Sequence, residues 1–304
     1  MPLRQQLASS LREKSRTTDF WLHLFLFACL ALAFWPMTRW VAATAHDQSR
    51  LLHALVVLAL ATAFLIRFGG VGVTQTLHLN RLSRRSLLLS YGLLLLGFAA
   101  QFLNPPGRGL LGWTLASTSI AAYCSGIAAF VFFVFGENCR RIVLTVVTTF
   151  GAFLLISLSM DGLDWPLRTL AGQWSGALLE LLGKQVELGL IRPEEGPPKL
   201  ILLVDNHPFH VASECNGFGV ILTSLLIALL LSLYRKTGPA GMALNLFVGI
   251  SLGLAFNLLR IVVIVLLAPA LMDHYMLMHE IVGGITYWAC LALIWVLLKG
   301  PMPE

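Results

Sequence analysis

Charge is what this sequence has least of. Only 12% of its 304 residues are Asp, Glu, Lys or Arg, where a soluble globular domain carries about 25%. Hydrophobic residues make up 57%, which excludes an ordinary soluble domain and predicts a polytopic membrane protein. Carboxylates are the scarcer charge, 15 against 21 basic residues. That basic excess does not point to nucleic acid. The basic residues come in small groups between apolar runs, the pattern that positive-inside topology leaves. Cysteine is scarce too, with five in the chain. Cys29, Cys124 and Cys290 fall within apolar runs and Cys139 between two of them. Those four read as small buried hydrophobes, and no disulfide framework is written here. Cys215 alone stands in a polar stretch, at the start of an apolar run. A lone thiol facing an oxidising compartment points to intermolecular pairing or to reactivity.

What the chain does have is long apolar segments. A bilayer-spanning helix needs about 20 mostly apolar residues. Eight runs qualify as candidates, over 20–40, 51–67, 86–103, 109–135, 142–160, 217–234, 240–267 and 280–298. With the N-terminus in the cytoplasm, thirteen Lys and Arg fall on the inside and seven on the outside. Four of the seven lie in one long segment, which counts less. Both termini are therefore expected inside. The first run is read as a retained helix, because Arg39 and Trp40 separate it from the small-residue triplet "ATA" at 43–45 that a cleaved leader would need. The expected division is a five-helix membrane part over 1–160, then an extracytoplasmic segment with three further helices over 161–304.

That extracytoplasmic segment carries its own signals. "DWPLRTLAGQWSGALLELLG" repeats apolar residues at helical spacing, with Asp164 placed as an N-cap, Pro166 in the first turn and Gly183 as a stop. It reads as an amphipathic helix on the outer membrane boundary or on the top of the bundle. Val186, Leu188 and Leu190 alternate with polar residues or Gly, "RPEEGPP" is a turn and "KLILLV" is a second strand, so a β-hairpin is expected. The second strand is read as running on through "DNHPFH" into Cys215.

Three residues then fall at one level. Arg260 lies deep in the run "AFNLLRIVVIVLLAP". A charge at the bilayer centre costs roughly 2.5–3.5 kcal/mol. At 1.5 Å per residue from Gly241, Arg260 is about 28 Å along its helix, near the outer edge. Asn257 shares its face. His279 opens the last run, at the same edge. A thiol, a guanidinium and an imidazole are the groups that acyl transfer through a thioester uses. The thiolate attacks and a nearby cation favours it. The imidazole moves a proton. The guanidinium holds the oxyanion. Competing readings exist for each: an interfacial role for His279, with His274 as a rival, and headgroup snorkelling for Arg260. A metal site at His207, His210 and Cys215 is a further alternative of unspecific spacing. So are a transporter, which also uses intramembrane Arg and Asn but has no use for an outer thiol, and a structural membrane protein without catalysis. Asp205, Glu214 and Glu280 stand near enough in sequence to orient a histidine or hold substrate.

Cys215-Asn216-Gly217, then Asn257-x-x-Arg260, then His279 with Gly283 a turn later, resembles the exosortase/archaeosortase family in order, spacing and placement. The resemblance is strongest over about 160–298. It departs at one position, with Cys-Asn-Gly where the family usually has Cys-Ser-Gly. The resemblance implies a membrane-embedded cysteine protease or transpeptidase at the outer face of a cell (inner) membrane. Its partners would be exported proteins ending in a short motif, a transmembrane helix and a basic tail. Cys215 would be nucleophile, Arg260 the thiolate or oxyanion stabiliser and His279 the general acid/base, with Glu214, Asn216, Gly217 and Asn257 in support. It implies no metal and no organic cofactor.

Overall fold

The apolar runs form helices, and the breaks between them follow proline, glycine and charge. The computed structural model describes residues 13–68, 77, 79–103, 110–191, 198–211 and 217–301. The elements are α1 (Thr18–Ala33), α2 (Trp35–Asp47), α3 (Ser49–Phe68), α4 (Arg81–Leu103), α5 (Leu110–Phe135), α6 (Arg140–Leu158) and α7 (Met160–Leu181). The strands β1 (Val186–Ile191), β2 (Lys199–Val204) and β3 (His207–His210) follow. Last come α8 (Phe218–Arg235), α9 (Pro239–Leu267) and α10 (Tyr275–Leu297), the last two joined by two short 3-10 turns.

This is an all-α polytopic membrane architecture with one small sheet, but the expected eight spans are not all present as such. Among the described residues six helices are long and apolar enough to cross a membrane, or seven if the bent pair α1 and α2 counts as one. The expected first span breaks after Ala33 and turns by 54°. Pro36 sits at the start of α2, where a missing N–H is harmless but a continuous helix would lose a bond. The expected third run is helical within α4, which opens on Arg81, Arg84 and Arg85 and is not among the six.

Packing divides the chain into two units. One comprises residues 1–48, 59–155 and 301–304. Its core joins Phe20, Phe27 and Leu30 of α1 to Leu87 of α4 and Ala122, Ala129 and Phe133 of α5. Hydroxyls on α4 donate across to carbonyls of α5, Ser83 to Ala129 at 2.8 Å and Ser90 to Ala122 at 2.7 Å. Asn80 caps α4, its Oδ1 accepting the Ser83 N–H at 2.7 Å.

The other unit comprises residues 49–58 and 156–300. The expected outer helix is there as α7, but it starts at Met160 after Ser159, and Pro166 lies inside it. Asp164 is not a cap. Its carboxylate pairs with Arg168 one turn on and with Arg50 of α3 at 3.7 Å. Gly183 ends the helix at φ +81°, with its N–H on Glu180 and that of Lys184 on Leu179, the paired bonds of a Schellman stop. The hairpin of β1 and β2 is present, antiparallel, with Val186 opposite Val204 and Ile191 opposite Lys199.

The second strand does not run straight on. Asp205 and Asn206 both take positive φ, 47° and 64°, and turn the chain back so that β3 pairs antiparallel with β2. That two-residue turn suits residues that tolerate the left-handed region. Leu200, Leu202 and Val204 of β2 alternate into a core with Ala171 and Leu179 of α7 and Ile261, Val262 and Val265 of α9. The sheet is thereby seated on the end of α9 that carries Arg260.

Candidate active site

A cleft of about 100 Å³ lies in the second unit, lined from α3, α8, α9 and α10. Gly217 and Gly219 come from the start of α8, Asn257 and Arg260 from α9, and Gly283, Thr286 and Tyr287 from α10.

Gly217 precedes α8 at φ +78°, a conformation that costs an L side chain about 1–2 kcal/mol. It is also packed tight, since a Cβ there would stand 2.7 Å from Asn257 Nδ2. Asn257 is 3% exposed. The start of α8 and the middle of α9 therefore touch through a glycine and an amide. Arg260 lies one turn beyond Asn257 and is partly buried. Its guanidinium rests over Gly283, where a Cβ would meet Nε and Nη2 at 3.1 Å. Nη2 stands 3.4 Å from His279 Nε2. A guanidinium only donates, so Nε2 is the accepting nitrogen in this contact.

His279 does not open its helix as expected. α10 begins at Tyr275, which puts His279 in the second turn with the Tyr275 ring 6.1 Å from its own. A small cavity beside it is also lined by His210, Phe209 and Tyr275.

The structure thus gathers Gly217, Asn257, Arg260, Gly283 and His279. Glu214, Cys215 and Asn216 lie outside the described residues. Glu280 and His274 are exposed. Asp205 lies at the β2–β3 turn, where the Lys184 ammonium at 2.8 Å and the Gln185 N–H hold its carboxyl below its ordinary range. His207 bonds back to the Asp205 carbonyl at 3.0 Å. Among the described residues no three His, Cys, Asp or Glu side chains group as metal ligands.

Among the lining residues that escaped the sequence reading are Arg50, His53 and Tyr287. Arg50 and His53 come from the first turns of α3, and the stem of Arg50 packs 3.5 Å from where a Gly219 Cβ would be. No motif marks them. Tyr287 had a readable signal, because His279, Gly283 and Tyr287 recur every four residues on one helix face.

Fold and cleft together describe a polytopic membrane protein whose polar site is built mainly from its last three helices. A family model for transmembrane exosortases matches residues 72–296, well over half of the chain. The chain belongs to the transmembrane exosortase family. No curated protein matches the chain, and no solved structure does.

Proposed function

We propose that this protein is a cysteine protease or transpeptidase that cuts C-terminal sorting tails of exported proteins in the membrane. The observation that carries the reading is the contact of Arg260 Nη2 and His279 Nε2, 3.4 Å apart, with Arg260 on the cleft that Gly217 closes. Cys215 precedes Gly217 by two residues, so two Cα steps of about 3.8 Å each are the most that can separate them. On this reading the nucleophile works with the cation and the imidazole, beside a helix N-terminus that also favours an anion.

The chemistry follows from those groups. The Cys215 thiolate adds to the carbonyl carbon of the scissile peptide. Arg260 donates to the oxygen as it gains charge. His279 delivers a proton to the departing amine and takes one from the incoming acceptor. Residues 161–304 carry this chemistry, with Asn257 and Gly217 fixing the start of α8 and Glu214 and Asn216 flanking the thiol in sequence. The balance of basic residues, thirteen inside against seven outside, supports cytoplasmic termini and a site at the extracytoplasmic face of the inner membrane. The substrates are exported proteins whose tails present a motif, a membrane helix and a basic cluster. That geometry delivers a peptide bond to the outer membrane edge.

The test is substrate processing in membranes. Cys215→Ala abolishes it and leaves full-length substrate in the bilayer. Cys215→Ser is nearly as inactive, because a hydroxyl without a strong base is a far weaker nucleophile. Normal processing by Cys215→Ala overturns the assignment.

A further inference from the structure

We infer that His53 is a further catalytic residue, a proton relay that joins the cleft to water. The inference rests on the peptide-cleaving reading of this cleft. When a peptide bond breaks, its nitrogen leaves with one hydrogen and needs two more to end as an ammonium ion. A free α-amino group titrates near 8, so at neutral pH the ammonium ion is the form that departs. On that reading His279 delivers the first of the two protons. The second has to come from outside the cleft. An amine that lacks it is still the nucleophile of the back reaction.

His53 stands where that proton can enter. It lines the cleft with Arg50, Asn257, Arg260 and Tyr287, yet the residue is exposed. It follows the polar stretch 46–50, at the polar end of α3. Its place is fixed by its neighbours. Leu51 and Ala54 are each only 1% exposed, and the His53 ring lies 6.4 Å from that of Tyr287 with the planes 50° apart. His279 sits differently. It lines the smaller cavity with His210, and its Nε2 accepts from Arg260. A neutral imidazole has one accepting nitrogen, so that contact occupies it.

The chemistry of the other lining groups singles out the same residue. Among the described residues that line the cleft, the titratable side chains besides His53 are Arg50, Arg260 and Tyr287. A guanidinium does not give up its proton in a protein. A phenol ordinarily holds its proton to about pH 10. An imidazole both takes and releases a proton near neutral pH. The step is then simple. The His53 imidazolium hands its proton to the departing amine, which becomes ammonium, and the neutral imidazole takes a proton from hydronium outside the cleft. One proton moves from water to imidazole to amine, and no bond to carbon changes. An acceptor that arrives protonated sheds its proton by the reverse path.

The test is His53→Ala and His53→Gln in the full chain, purified in detergent and supplied with a substrate carrying a C-terminal tail. Turnover is expected to fall by about 10²-fold in both, the low end for loss of a general acid–base group. Imidazole added to the medium restores much of the lost rate to His53→Ala and does not speed the wild type. The thermal midpoint stays where it is, because an exposed side chain contributes little to the fold. Wild-type turnover in either variant overturns the inference. So does a slow His53→Ala that does not respond to imidazole, which would mark the ring as structural. The two readings fail separately. If the wild type cuts the tail and His53→Ala cuts it as fast, only the relay falls. If the wild type leaves the tail uncut, the peptide-cleaving reading falls and takes the relay with it.

Discussion

Two adjacent glycines on α10 make a sharp comparison. At Gly283 an added Cβ would lie 3.1 Å from Nε and Nη2 of Arg260 and 3.2 Å from Cζ, while at Gly284 it would meet nothing within 4 Å. Ordinary contact is about 3.5–4.0 Å. Gly283→Ala therefore pushes the guanidinium aside by roughly half an ångström, away from a histidine contact already at 3.4 Å. A misplacement of about 1 Å costs on the order of 10²-fold, so about a tenfold loss of turnover is expected. Helix stability moves the other way, because alanine is favoured over glycine inside a helix by about 1 kcal/mol. Gly284→Ala gains that stability and keeps its activity. The assay is cleavage of a tailed substrate in membranes, with enzyme levels matched by immunoblot and thermal midpoints measured in detergent. Equal cleavage by the two alanine variants would refute the idea that Gly283 seats a working guanidinium.

Two more predictions follow from named contacts. Arg260→Lys keeps the charge but loses the planar fork, so it inserts and folds like wild type and loses about 10²-fold in turnover; near-normal cleavage in the same membrane assay would demote Arg260 to an anchor. Asp205→Asn, at an exposed turn, tests the Lys184 pair. The folded carboxyl is held below its ordinary value near 3.8, so its stabilising effect is present above that pH and is lost as the pH falls through the lowered folded value. The asparagine variant therefore unfolds at slightly lower temperature at neutral pH and converges on wild type in acid. A constant difference across that range in thermal scans counts against the pairing.

Legibility in the sequence followed the cost of being wrong. Arg260 in an apolar run is expensive unless held, so it stood out without coordinates. The same holds for the glycine stop at Gly183 and the alternation in β2. Other features depended on competition between partners. Asp164 has the chemistry of a cap, but Arg168 one turn on and Arg50 from another helix take its carboxylate, and the helix begins earlier. Asp205 and Asn206 suit a tight reversal, yet only pairing of β3 with β2 shows that the chain uses them so. The break between α1 and α2 hides inside a run whose hydropathy is uniform. Arg50 and His53 were unreadable as cleft-lining residues because Arg50 packs against α8 and the His53 ring lies by Tyr287 of α10, more than 160 residues later in the chain.

That distance has a consequence for biosynthesis. Arg50 is made 114 residues before Asp164, its carboxylate partner. At about 5–20 residues per second, the arginine waits roughly 6–23 s at its helix start before the partner exists, and longer before α10 closes the cleft. A fragment beginning near residue 156 would carry all three motif helices and still lack one wall. Assembly of this cleft is a late event in a chain made from its other end, because its last wall comes from the last helix, α10.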